Sequence, residues 1–171
     1  MKLFAVYIGG EFKGANIELH DIRFVAGQSI EDTYDEIRRQ WWGVPNSLHI
    51  DCWAELTRAD GYRITLTQQP APSGPKLFYV NLGGYDPEQF TELHRNMFVV
   101  AESESKAKVR ALKTVRHWSA FHKDDMFEAE QLLALDSALA ESPWYIHLEK
   151  IDDESPAPFV CQYKNIGRRA A

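Results

Sequence analysis

The sequence predicts an α+β protein built from two tandem copies of one small β-β-α-β-β unit. Three observations lead there. The first is an internal repeat. Sliding the chain by 74 residues superposes Lys2-Leu3-Phe4 on Lys76-Leu77-Phe78, Val6 on Val80 and Gly9-Gly10 on Gly83-Gly84. Further along, Glu18-Leu19-His20 falls on Glu92-Leu93-His94, Phe24-Val25 on Phe98-Val99 and Ser29 on Ser103. These 12 identities span positions 2 to 29 without a gap, where unrelated segments of ordinary composition match at about one or two. The second observation is that each copy opens on a short apolar run rich in aromatic and β-branched residues. The third is the stretch Thr67–Pro75, whose three prolines and one glycine separate the copies as an extended linker.

The elements of the first copy follow in order. Leu3–Ile8 reads as a buried strand and Ile22–Val25 as a second. Ser29, three residues before Asp32, starts a helix in the manner of a capping box. Glu31, Asp32, Asp35 and Glu36 fall in its early turns and Arg38 and Arg39 late, as the macrodipole favours. Ile30, Tyr34, Ile37 and Trp41 share one face, and Gly43 and Pro45 end the helix. Leu48–Leu56 is the third strand, and Tyr62–Leu66, after the turn at Ala59-Asp60-Gly61, is the fourth. In the second copy the matching elements are Leu77–Leu82, Met97–Val100, the helix Ser103–Trp118 and the strand Tyr145–Leu148.

The third element of the second copy is less direct. Matching Leu48–Asp51 to Leu133–Asp136 at offset 85 predicts a strand over Leu132–Ser137, against a helical propensity over Glu128–Ala140. Ile64–Leu66 matches Ile146–Leu148 at offset 82. The copies are therefore expected at 1–66 and 76–151, with the linker at 67–75 and an insertion near 119–131. A tail at 152–171 has one further strand over Phe159–Tyr163. A helix packed across a four-stranded sheet in this order has the β-grasp, or ubiquitin-like, arrangement. Two such copies are expected to share a core with approximate two-fold symmetry, because units this small are marginal alone.

Composition narrows the classes of function. The chain has 171 residues, 44% apolar and 26% charged, the mix of a soluble globular protein. No run approaches a membrane span. Net charge is −6, so no whole-protein basic field awaits nucleic acid. Two cysteines, Cys52 and Cys161, are too few for a disulfide-stapled scaffold. The segment after Met1-Lys2 recurs at Lys76 and reads as a strand, not a leader. A cytoplasmic location is the expectation, with no membrane partner and no cofactor.

The residues also carry a resemblance. Lys-Leu-Phe-x-Val-x-x-Gly-Gly, then Glu-Leu-His, Phe-Val, Ser-Ile-Glu-Asp and Leu-His-Ile-Asp, resembles the bacterial family called domain of unknown function 1543. The resemblance covers about Lys2–Leu66 and Lys76–Leu148. It implies a soluble bacterial protein with one or two copies of the domain. It brings no activity, substrate or site residue.

Candidate chemistry rests on a few clusters. Glu18 and His20, like Glu92 and His94, lie two apart on an extended segment and so point to one face. A carboxylate and an imidazole can hold zinc or exchange a proton, and two converging pairs would supply four metal ligands. The alternative is that each histidine bonds backbone at the entry to the second strand. The Gly-Gly pairs read as turns needing positive φ, with Asp86-Pro87 following the second. His49 and Asp51 form another such pair, with Asp136 retained in the second copy. Cys52 is a poor partner for His49, because three residues along a strand place them on opposite faces. The second helix is basic, with Lys106, Lys108, Arg110, Lys113 and Arg116 followed by His117 and Trp118. It offers an anion or nucleic-acid surface, or simply a solvated face. The expected function is a non-enzymatic binding or interaction module, with a protein partner or self-association. The alternatives are a metal protein or small enzyme using the Glu-x-His segments, and an anion binder using the basic helix.

Overall fold

Residues 1–85, 88–114 and 129–167 are described by the computed structural model. The Asp86-Pro87 turn, Arg116, His117, Trp118 and most of the 119–131 insertion lie outside the described residues. The first half runs β1 (Lys2–Gly10), β2 (Leu19–Gly27), α1 (Tyr34–Gln40), β3 (His49–Glu55), β4 (Arg58–Ala59) and β5 (Tyr62–Thr67). The second runs β6 (Lys76–Tyr85), β7 (Glu92–Ala101), α2 (Glu104–Thr114), β8 (Ala129–Ala134), the single turn α3 (Leu135–Ala138) and β9 (Tyr145–Lys150). β10 (Phe159–Asn165) follows. The architecture is mixed α+β with antiparallel sheets.

The period-two alternation of β1 and β6 divides the molecule into layers. Phe4, Val6 and Ile8 pack with Ile30, Ile37, Leu48 and Ile50 beneath α1. Phe78, Val80 and Leu82 pack with Ala107 and Ala111 of α2. The intervening residues turn the other way: Leu3, Ala5, Leu77 and Tyr79 meet in one shared cluster with Phe24, Val100, Leu135 and Ile146. The sheets of β1 and β6 thus each have a helix outside and share a common core inside. Side chains such as Ile8 and Leu82 are fully buried, each contributing about 1.5–3 kcal/mol. At the start of the α1 segment, the Ser29 N–H donates to Asp32 Oδ2 and the Asp32 N–H donates to Ser29 Oγ. This is the reciprocal cap that the sequence suggests.

The two hairpins have the same register 74 residues apart. Lys2 faces Gly27 and Gly9 faces His20 in one; Lys76 faces Ala101 and Gly83 faces His94 in the other. The third strands also break step at the same place, between Tyr7 and Ile8 against β3 and between Asn81 and Leu82 against β8. This corrects the offset of the third element. Tyr7 pairs with Cys52 and Asn81 with Gln131, an offset of 79, so Ala134 and Asp136 are not the counterparts of His49 and Asp51. The strand ends at Ala134 and the helical propensity wins from Leu135 onward.

The fourth strands depart from the expected β-grasp sheet. β5 leaves its own half and pairs with β9, in a sheet ordered β4-β5-β9. That pairing turns Ile64, Leu66 and Ile146 into the shared cluster, closing one end of it. The fourth place in the first sheet is taken by β10, giving the order β10-β3-β1-β2. Asp60, in the β4–β5 turn at φ 53°, accepts from the Val100 N–H at 2.7 Å and from Arg110 at 2.7 Å, tying the halves together.

Candidate metal centre

Gly9 is the starting point. It lies in the middle strand of three, with His20 of β2 opposite on one side and His49 of β3 on the other. The two imidazoles lean over the glycine. A Cβ at position 9 would sit 2.7 Å from His49 Nε2 and 2.9 Å from His20 Cδ2. The reading of Gly9-Gly10 as a positive-φ turn is therefore corrected. The described glycines at positive φ are Gly14 and Gly61. Gly9 is small to admit two histidines, and Gly10 to admit Trp41 and Ser47.

Two carboxylates join the imidazoles. Glu18 sits just before β2, and its oxygens lie 3.4 Å from His20 Nε2 and 3.5 Å from His49 Nε2. Asp51 is the extra residue of the β3 bulge, because Ile50 faces Ile8 and Cys52 faces Tyr7. Bulges re-aim side chains, and this one brings Asp51 oxygens 3.5 Å from His20 Nε2 and 3.6 Å from His49 Nε2. One ligand atom each from Glu18, His20 and His49 lies within 4.8 Å of the others.

The chemistry of this set is constrained. His49 is only 4% exposed. Its Nδ1 is 2.9 Å from the Ser47 carbonyl, which can only accept, so Nδ1 donates and the neutral ring would present the Nε2 lone pair inward. A metal-ligating histidine is oriented in the same way, by a hydrogen bond from its other nitrogen. Asp51 Oδ2 is buried with no hydrogen-bond partner, a costly state for a carboxylate unless a cation answers it. Aromatic rings flank the imidazoles: Tyr7 stacks on His20 at 5.4 Å and Tyr163 of β10 lies 4.7 Å from His49. Burial, then Asp51 and Asp21, pushes the Tyr7 hydroxyl above its usual range, keeping it a neutral phenol.

The other predicted residues fall elsewhere. Glu92 and His94 pair with each other at 3.9 Å on β7, and His94 also meets Asn81 at 3.3 Å. They line the same open groove of about 750 Å³ as Glu18 and His20 but do not belong to the ligand cluster. Among the described residues the two Glu-x-His segments do not merge into one four-residue group; Glu18 and His20 gather with His49 instead. On α2, Lys106 pairs with Glu102, and Arg110 is engaged by Asp60 and the Val100 carbonyl. Lys108 and Lys113 are exposed, and Arg116 lies outside the described residues. Cys52 is bonded to Cys161 across β3 and β10, so it is not a free thiol. The sequence hints at this bond only in placing both cysteines on expected strands.

Comparison with known proteins identifies the family. A crystal structure of protein Il1583 from Idiomarina loihiensis is 36% identical, covers 96% of this chain and 97% of its own, and superposes with a TM-score of 0.71. The model of the Domain of Unknown Function (DUF1543) matches residues 15–66. The chain belongs to the DUF1543 family. The matched DUF1543 segment contains Glu18, His20, His49 and Asp51. No curated protein matches the chain. Among the described residues no helix is long and apolar enough to cross a membrane.

Proposed function

We propose that this DUF1543 chain binds a divalent transition metal, zinc being the reference ion, through His20, His49, Glu18 and Asp51. The observation that carries the reading is the Asp51 carboxylate, whose buried Oδ2 accepts no hydrogen bond and lies 3.5 Å from His20 Nε2 while its Oδ1 lies 3.6 Å from His49 Nε2. The spacing supports it. Ligands about 2.1 Å from a tetrahedral zinc stand about 3.4 Å apart, and each imidazole Nε2 lies 3.4 to 3.6 Å from one oxygen of Glu18 and one of Asp51, with Glu18, His20 and His49 forming the tight group and Asp51 standing beside it. Two nitrogens and two oxygens suit zinc and its neighbours better than calcium or magnesium. The module is a metal binder of the non-enzymatic class, and no reaction is assigned to it.

The test is elemental analysis of the purified protein, with zinc titration by calorimetry. One equivalent is expected in the wild type, and loss of at least a hundredfold in affinity in the His20→Ala, His49→Ala double variant. His94→Ala is expected to bind as the wild type does. Wild-type protein that takes up no zinc, nickel or copper would overturn the reading.

We read the two halves as duplicated copies related by an approximate two-fold. The identical hairpin registers and the shared bulge position support this. So does the β5–β9 ladder, where Ile64 faces Leu148 and Leu66 faces Ile146 about a central Thr65–His147 pair. Residues equated by sequence thus exchange places across it, as a two-fold requires.

A further inference from the structure

We infer that the Cys52–Cys161 pair is a redox control on this metal site, an inference that rests on the metal-binding reading. Cys52 directly follows the ligand Asp51, and both stand opposite Tyr7 in the bulge. Across from Cys52, Cys161 lies on β10 with the Cα atoms 4.2 Å apart. Two residues further along β10, Tyr163 covers the ring of His49. The pair therefore joins the strand that carries two ligands to the strand that roofs one of them.

β10 needs that join. Its ladder with β3 breaks between Cys161 and Lys164, so residues 162 and 163 have no partners in it. Phe159, Val160 and Tyr163 are all exposed, leaving little apolar burial to hold the strand. The far end is anchored separately, by the Ile166 N–H to the Leu48 carbonyl and by Arg38 Nε to the Ile166 carbonyl. Opening the bridge thus removes the covalent tie next to Asp51 and leaves that end of β10 held to β3 by the Phe159–Ala54 and Val160–Trp53 pairs, while the chain beyond Lys164 stays attached. Cys161 is exposed and Cys52 half-buried, so a small thiol or disulfide can reach them.

The chemistry balances by exchange with a low-molecular-weight disulfide of the glutathione class. One cysteine thiolate attacks the small disulfide and expels one small thiolate. The second cysteine attacks the mixed disulfide and expels the other. Two protein thiols are oxidised, one small disulfide is reduced to two thiols, and the protons pass to the departing thiolates. A reducing compartment holds the open dithiol form and an oxidising one the bridged form.

The experiment measures zinc affinity by chelator competition on the full chain, after oxidised glutathione and after a phosphine reductant. Supporting tissue around a metal site commonly alters affinity by about 10–100-fold, so at least tenfold tighter binding is expected in the bridged form. Cys161→Ser should match the reduced wild type under both conditions, with circular dichroism confirming its fold. Equal affinities in the two wild-type forms would overturn the control while leaving the metal reading intact. Two titratable thiols after the oxidising treatment would also overturn it. Absence of zinc binding in both forms would overturn the metal reading, and the control with it.

Discussion

The β1–β2 and β6–β7 hairpins share a register, a glycine pair and a Glu-Leu-His segment, yet only the first assembles a ligand cluster among the described residues. The difference comes from the neighbouring strand. β3 brings His49 against Gly9 and bulges at Asp51, so His20 gains an imidazole and a second carboxylate. In the second half His94 meets the side-chain amide of Asn81 where His20 meets the ring of Tyr7. That amide belongs to a neutral network in which Tyr79 Oη and Asn81 Nδ2 both donate to Asn96 Oδ1. Burial pushes the Tyr79 hydroxyl up to about 12, so it remains a donor there. The neighbouring strand thus decides whether the hairpin's Glu-x-His pair gains a second imidazole and carboxylate, as at His20, or stands beside an amide network, as at His94.

The largest effects test whether the halves stand or fall together. Ile8→Ala and Leu82→Ala remove equivalent, fully buried side chains from the two helix-facing cores. Each should cost about 2–5 kcal/mol. Urea denaturation should show a single transition lowered by either variant, because Leu3 and Leu77 share one cluster. Two separate transitions would break the shared-core account. Next comes Gly9→Ala, which places a methyl 2.7 Å from His49 Nε2. It should destabilise the fold by about 1–3 kcal/mol and weaken zinc binding at least tenfold in a calorimetric titration. Wild-type zinc affinity in this variant would mean that the imidazoles do not converge over Gly9.

The smallest effect lies where β10 meets the first half. Lys164 lies 2.8 Å from Glu31, and its hydrogen bond holds the Glu31 carboxyl below its ordinary 4.5. A depressed acid contributes stability above its unfolded value and loses it as pH falls through the folded one. Glu31→Gln should therefore be slightly less stable than wild type at pH 7, by the small margin of an exposed pair. That gap should close in thermal melts taken below pH 4.5. A gap that persists in acid would assign the effect to packing instead.

Much of the fold is legible in the residues. The continuous apolar run Leu3–Ile8 marks a buried strand, and the Ser29–Asp32 spacing marks the start of a helix. The 74-residue repeat predicts the hairpin registers pair by pair. The strand near Phe159 is also visible from its composition. The site was only half legible. Glu18 and His20 stand out because they share a face, and His49 and Asp51 because they lie two apart. Nothing local says that the two pairs meet, because strand neighbours are chosen by long-range packing. The offset of the third element failed for a related reason: four matching letters around Leu133 carried less weight than the β6 ladder.

The sequence by itself determined the matching residues 74 apart, the local elements and the inventory of metal-capable side chains, since periodicity, capping and turn chemistry act over a few residues. Only the tertiary structure decided which strands became neighbours. β5 crossed to β9 because that buries Ile64, Leu66 and Ile146 at the end of the shared core. β10 took the vacated edge, which brought Cys161 to Cys52 and Tyr163 to His49. The β3 bulge then turned Asp51 toward two imidazoles that a glycine leaves room to converge.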